Sequence, residues 1–254
     1  GFNGSCLQHI SKEYIKNIKI PIIPIEMQNK IVEQLDIINN SIKKGKQLIN
    51  NYKKIINYYI ECQLCSTKEY KKLKEICEFN YENIKKNYEN EINYIDISSI
   101  KNGKIIELKK YRNIKDAPVS AKRFVHKNDV LISSVRVNLP SYYFMNDEIE
   151  NCVCSNAIVV IKTKNENTIS KYIYYYIIQE YIRDDLLKKS VGTLYPHCCI
   201  EHFYNIEIPN ISLEKQQEIV KYCDDINTLI TNIEQQINKD TELMKQVLEF
   251  NTKV

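Results

Sequence analysis

Two stretches of this 254-residue chain are versions of one another, 188 positions apart, and that repeat restricts the fold more than any single residue does. Residues 18–38 read IKIPIIPIEMQNKIVEQLDII, and residues 206–226 read IEIPNISLEKQQEIVKYCDDI. Ile18, Ile20, Pro21, Glu26, Gln28, Ile31, Val32, Asp36 and Ile38 recur as Ile206, Ile208, Pro209, Glu214, Gln216, Ile219, Val220, Asp224 and Ile226. Upstream, Gly4 and His9 recur as Gly192 and His197. A long-period duplication signals repeated supersecondary units and takes precedence over local readings. Two copies are visible, separated by a stretch that is not repeated.

The register outlasts the identity. After Pro24, apolar or seam positions fall at Ile31, Leu35, Ile38, Ile42, Gly45, Ile49, Tyr52, Ile56 and Tyr59, in steps of four and three. The second copy places Ile219, Cys223, Ile226, Ile230, Ile233, Ile237, Asp240, Met244 and Val247 at the same offset. This is the heptad pattern of a helix with a narrow apolar seam. Residues near 26–63 would form a helix of roughly 57 Å at 1.5 Å per residue, and residues 213–250 its counterpart. A lone heptad helix cannot bury its seam. Matching registers within one chain favour an internal antiparallel pair over a homo-oligomeric coiled coil. Gly45 would let a bulky partner approach closely, and Asp240 would weaken the seam locally and help select register.

Composition sets the class. Hydrophobic residues at 43% and charged residues at 27% are those of a globular protein. No apolar run reaches the roughly 18 residues a membrane span needs, and no signal peptide is visible, so a cytoplasmic location is expected. Net charge is only +4, yet Lys101–Arg136 holds ten Lys/Arg against three Asp/Glu, while Ser212–Val254 holds five against eight. A basic segment in a near-neutral chain fits a localised surface for a polyanion, and equally a solvated lysine-rich face. The nine cysteines are odd in number and irregularly spaced. Cys62-x-x-Cys65 has no second pair at finger-like spacing, so reduced thiols are expected, with no metal and no cofactor.

The unrepeated middle reads as a compact mixed domain. Asn93–Ile100, the Asn102-Gly103 dipeptide and Lys104–Leu108 read as strand, turn, strand. Phe124–Val137 and Val153–Lys162 contain buried-strand patterns. Ser170–Lys189 has helical length and periodicity, with Ser170 as its N-cap. Its tyrosines Tyr172, Tyr174, Tyr175 and Tyr176 read as packing residues, not a base-stacking platform.

The succession KRFVHKNDVLISSVR (122–136), CSNAIVVIKTK (154–164), ISKYIYYYI (169–177) and VGTLYPHCCIEHFYNIEIPNISLEKQQEIV (191–220), followed by a long helix, resembles the specificity subunits of type I restriction-modification systems. In that family a target recognition domain ends in a Gly-containing turn, an Ile-x-Ile-Pro strand and a Glu-x-Gln helix start. Two such domains normally alternate with two spacer helices. The resemblance implies an α+β fold, a β-rich target recognition domain flanked by two long helices that form an antiparallel coiled coil. It divides the chain into the tail of a preceding recognition domain (1–24), a first spacer helix (25–65), one complete recognition domain (66–211) and a second spacer helix (212–254). It departs from the family in Lys127-Asn128-Asp129, where Lys-Gly-Asp is frequent, and in Arg136-Val137, where Arg-Pro is.

Catalytic signatures are missing. There is no Asn/Asp-Pro-Pro-aromatic motif for amino-methyl transfer and no Gly-x-x-x-x-Gly-Lys phosphate loop. Asp96 with Glu107-x-Lys109 has nuclease-like spacing, but such triplets are common in so lysine-rich a chain. His9, His126, His197 and His202 show no metal-ligand spacing, and the recurrence of His197 as His9 suggests a structural loop. The resemblance therefore implies a non-catalytic reader of double-stranded DNA, with methyltransferase subunits and a restriction/translocase subunit as partners. Arg112, Lys122, Arg123, Lys127 and Arg136 are the expected DNA contacts, and Tyr195, beside the Gly192 turn, is a further candidate. The arginines have a second reading as salt-bridge partners of Asp116 or Asp129. Two other classes compete: the specificity region of a fused methyltransferase-nuclease, and a coiled-coil adaptor that binds no DNA.

Overall fold

The computed structural model describes residues 2–3, 9–18, 22–138, 141–192 and 196–252. The chain forms two compact units, Gly1–Tyr52 with Thr228–Val254, and Lys53–Asn227. In chain order the elements begin with strands β1 (Phe2–Asn3) and β2 (His9–Ile10) and helices α1 (Lys12–Lys16) and α2 (Ile25–Leu64). Next come β3 (Tyr70–Lys72), α3 (Leu73–Ile76), β4 (Cys77–Phe79), β5 (Ile92–Ile95), β6 (Ile100–Lys101), β7 (Lys104–Ile105) and β8 (Lys109–Tyr111). Strands β9 (Ala121–Phe124), β10 (Val130–Ser133), β11 (Tyr142–Phe144), β12 (Cys152–Ser155) and β13 (Ile158–Thr163) follow. Helices α4 (Ser170–Ile177), α5 (Glu180–Lys189) and α6 (Ile200–Tyr204), strand β14 (Glu207–Pro209) and helix α7 (Leu213–Thr252) complete the chain.

The repeat is structural to the residue. Both ends of α1 lie 188 positions before those of α6, and both ends of α2 lie 188 before those of α7. The pairing of Asn3 with His9 likewise recurs as a bridge between Val191 and His197. In the first unit the heptad seams meet as an antiparallel pair, with Ile38 and Ile230 buried. Ser41 Oγ donates to Asp240 Oδ2 at 2.7 Å, and four residues further along α2 a Cβ on Gly45 would lie 3.0 Å from the Ile237 side chain. Gly45 is thus small because isoleucine faces it. Asp240 is held on both sides, since Gln236 Nε2 donates to its other oxygen at 2.7 Å. A seam carboxylate with one matched partner across the helices fixes the stagger of the pair.

The second unit is built on two four-stranded sheets, ordered β11-β10-β13-β4 and β8-β5-β12-β9. All the pairings are antiparallel except β12 on β5. The core contains Ile95, Cys152 and Cys154 from one sheet and Leu131, Ile158 and Val160 from the other, with Ile100, Val125 and Met145. Every residue of β12 is buried, because Val153 faces a second cluster of Ile84, Ile92, Tyr94 and Ala121. The expected turn at Asn102-Gly103 closes the β6–β7 hairpin, with φ of 50° and 72° at its two central residues. Two left-handed residues suit the twist of a tight hairpin.

The helix expected over Ser170–Lys189 is two helices. Gln179 breaks it by taking extended backbone angles, φ −61° and ψ 145°. Its fully buried amide donates to the Tyr175 carbonyl at 2.7 Å, which satisfies an end of α4 that the break exposes. Nor is Ser170 the N-cap. That position is Ile169, while Ser170 Oγ shares a hydrogen bond of 2.9 Å with Thr163 Oγ1.

Helix α4 is tied to β14 and to α7 through the tyrosines. Tyr172 OH donates to the Pro209 carbonyl at 3.0 Å and Tyr176 OH to the Glu207 carbonyl at 2.9 Å. Tyr175 OH donates to Asp224, which also pairs with Lys171 Nζ at 2.9 Å, and Asn227 donates to the Tyr175 hydroxyl. Buried Gln216 accepts from the Ile169 N–H at 2.8 Å and donates to the Asn167 and Ile211 carbonyls. The tyrosine stripe is therefore packing, as its sequence suggests.

Candidate nucleic-acid interface

The basic segment lies on the surface. Lys101, Lys104, Lys110, Arg112, Lys115, Lys122, Lys127 and Arg136 are all exposed. They do not form one spot. Arg112 follows β8, one edge of its sheet, and Lys122 lies on β9, the other edge. Lys127 and Arg136 stand beyond opposite ends of β10. Such a spread suits an extended polyanion better than a compact one. Tyr195 lies outside the described residues.

Arg123 differs from the rest. On β9 it shares the inward face with Ala121, and its Nη1 donates to the Asn156 and Ile158 carbonyls, each at 2.7 Å. Burial pulls its pKa below the ordinary arginine value. The strand alternation of Ala121, Arg123 and Val125 is the signal that could have assigned this inward direction.

The Arg136 loop is braced from both sides. Ser134 takes its N–H and its hydroxyl to the Ala157 carbonyl at 2.9 and 3.0 Å, and its own carbonyl accepts from Cys198 N at 2.8 Å. Val135 bridges His197, and His197 pairs with Val191 through two bonds of 3.0 Å. Here the recurring histidine acts through its backbone, tying the Gly192 loop to the Arg136 loop. Arg136 itself adopts φ 51°, a left-handed angle rare for a bulky residue, while Val137 is buried beside it. An unfavourable backbone angle imposed by its surroundings is a mark of functional loops. Val137 stands where the family frequently has proline, and its N–H donates to the Pro196 carbonyl at 3.4 Å.

The Lys127 turn has its own frame. Asp129 N–H donates back to the His126 carbonyl at 3.1 Å, and Asn128 has φ 70°. These describe a β-turn with a left-handed third residue, where Gly or Asn is preferred. The change from the family's glycine is therefore conservative. Buried Asp129 accepts from His126 N–H at 2.8 Å and from Tyr81 OH at 2.6 Å, so no arginine is its partner in these bonds. Asp116 accepts from the Asn113 side-chain amide at 3.2 Å. Burial raises the Asp129 pKa, opposed by those same hydrogen bonds.

One cluster beside this turn has no counterpart in the sequence reading. His126 Nε2 lies 3.0 Å from Glu82 Oε2, and its Nδ1 lies 3.1 Å from Glu148 Oε1. The other Glu148 oxygen accepts from the Lys127 N–H at 2.7 Å. Burial disfavours the His126 proton, but Glu148 and Glu82 outweigh it and raise the pKa above the ordinary 6.5. The three residues are far apart in sequence, so no local motif could announce them.

Other chemistry finds little support. Glu107 pairs with Lys109 at 3.8 Å and Asp96 accepts from Ser98 Oγ at 2.7 Å. Among the described residues there is no group of three or more His, Cys, Asp or Glu placed to hold a metal. A cavity of about 660 Å³ is lined by Asn128, Asn146, Asn165 and Lys171 among others, but Lys171 is already paired with Asp224. No described helix is long and apolar enough to cross a membrane.

The family model for the type I restriction modification DNA specificity domain matches residues 66–242, more than half of the chain. The chain belongs to this family. Its specificity-domain relatives include the type I restriction enzyme HindI specificity subunit of Haemophilus influenzae, 23% identical over 159 residues, 61% of this chain and 34% of the relative. The MjaVIII specificity subunit of Methanocaldococcus jannaschii is 23% identical over 261 residues, 89% of this chain and 59% of the relative. The chain thus spans between a third and three-fifths of these curated relatives. The crystal structure of the HsdS subunit from Thermoanaerobacter tengcongensis matches with a TM-score of 0.58 and 26% identity, covering 70% of this chain and 47% of that one. The type I S subunit from M. genitalium shares the fold, with a TM-score of 0.57 and 15% identity over 97% of this chain and 66% of that one.

Proposed function

We propose that this chain is the DNA-reading component of a type I restriction-modification complex, without catalysis of its own. Residues 66–211 act as one target recognition domain and read one half of a bipartite duplex site. The long helices set the spacing of the two halves and carry the methyltransferase subunits, with the restriction/translocase subunit joining the assembly; a cytoplasmic location suits these partners. Arg112, Lys122 and Lys127 neutralise phosphates, Arg136 contacts a base edge, and Tyr195 is a further contact. Arg123 orders residues 156–158, on which the Arg136 loop is braced through Ser134 and Ala157. Membership of the DNA specificity family supports this reading. The observation that carries it is Arg136, exposed and held at a left-handed angle by a loop braced on both sides.

The test is duplex selection from a random pool, then binding across a salt series. Binding should be sequence-selective, and its logarithm should fall linearly with the logarithm of salt concentration. Arg136→Ala should cost about 1–3 kcal/mol for the selected duplex if it reads a guanine, and should relax selectivity at one position. Lys122→Ala should instead weaken all duplexes alike and reduce the salt slope by about one. Absent or sequence-independent binding would reject the reader and favour the coiled-coil adaptor.

A further inference from the structure

We propose that His126 is a positioning residue for DNA reading: as an imidazolium it ties Glu82 to Glu148, and Glu148 holds the Lys127–Asn128 turn, so duplex affinity falls as His126 loses its proton. The inference rests on the reading of Lys127 as a DNA contact.

Hydrogen-bond geometry drives the argument. Each ring nitrogen of His126 faces a carboxylate oxygen, at 3.0 and 3.1 Å. A carboxylate only accepts, so both contacts are satisfied only when both nitrogens carry hydrogen. A neutral ring donates once and presents a lone pair to the other glutamate. One carboxylate must then be released.

Release of Glu148 reaches the turn directly. Its second oxygen takes the Lys127 N–H at 2.7 Å. The next two residues are fixed separately, since Asn128 N–H donates to the Met145 carbonyl at 2.8 Å and Met145 N–H to the Asp129 carbonyl at 2.9 Å. Loss of Glu148 therefore frees the second residue of the turn, Lys127, and leaves Asn128 and Asp129 in place. Aromatic rings and groups of both charges surround the imidazole. Tyr81 and Phe124 flank the imidazole with centroids 6.3 and 6.4 Å away, and Asp129 accepts from the His126 backbone. Lys162 lies over the Tyr81 ring at 4.7 Å, and Lys127 follows His126 in the chain. Because the His126 pKa is raised, the clamp is complete below the ordinary 6.5 and weakens as pH rises through the raised value.

The experiment measures affinity for the selected duplex at constant salt from about pH 5.5 to 8, for the full chain and for His126→Gln. The native chain should lose roughly two- to fivefold more affinity than the variant over that range, the scale of a solvent-exposed ion pair. In the DNA-free protein, amide exchange followed by NMR should show Lys127 losing protection as the His126 ring titrates, with Asn128 unchanged. Superimposable pH profiles, or constant Lys127 protection through the titration, would overturn the proposal. If no duplex is bound, the DNA-reading role fails, and the amide measurement alone decides the clamp.

Discussion

Phe203 and Ile206 are buried at 0% and 5% exposure, whereas their counterparts 188 positions earlier, Ile15 and Ile18, are exposed at 56% and 51%. The polar positions differ in the same way. Gln216, Asp224 and Asn227 hold the loop before α4 and its tyrosine helix, while the matching Gln28, Asp36 and Asn39 are exposed. The local side-chain bond of the glutamine is kept in both copies: Gln216 Nε2 donates to the Ile211 carbonyl at 3.1 Å, and Gln28 Nε2 to the Ile23 carbonyl at 2.8 Å. The helix and its first turn are thus intrinsic to the repeated sequence. Burial is conferred by the segment between β3 and β14 that sits on it.

Paired substitutions at matching positions, followed by urea denaturation, test this difference. Phe203→Ala removes a fully buried ring and should cost about 3–5 kcal/mol, against less than about 0.5 for Ile15→Ala. Gln216→Ala removes the partner of the half-buried Ile169 N–H and the donor to the Asn167 and Ile211 carbonyls, and should cost about 1–2 kcal/mol, with Gln28→Ala close to neutral. Asp224→Asn loses the Lys171 ion pair and weakens the Tyr175 hydrogen bond, for roughly 0.5–1.5 kcal/mol, while Asp36→Asn should be silent. Equal effects within any pair would mean that the first copy is covered in solution as the second is.

Much of this was legible because it is periodic or local. Spacing places the long helices at 26–63 and 213–250, and they run 25–64 and 213–252. The Asn102-Gly103 turn and the buried strands around 130–133 and 158–163 follow from turn chemistry and apolar runs. The break at Gln179 was hidden, since no Gly or Pro marks it and a buried amide makes it possible. In the candidate interface the exposure of the basic segment was readable. The inward turn of Arg123 and the Glu82–His126–Glu148 cluster depend on β9 meeting residues brought in from distant parts of the chain.

Strands β3 and β14 pair Tyr70 with Pro209 and Lys72 with Glu207, so the segment between them starts and finishes at one place. A polypeptide whose entry and exit are adjacent can be exchanged as a cassette without asking the flanking sequence to stretch or refold. A different set of loops could therefore be grafted between Lys72 and Glu207. The tyrosine helix would need to be retained with its partners on β14 and α7, as would the Ile169 and Phe203 contacts beside it.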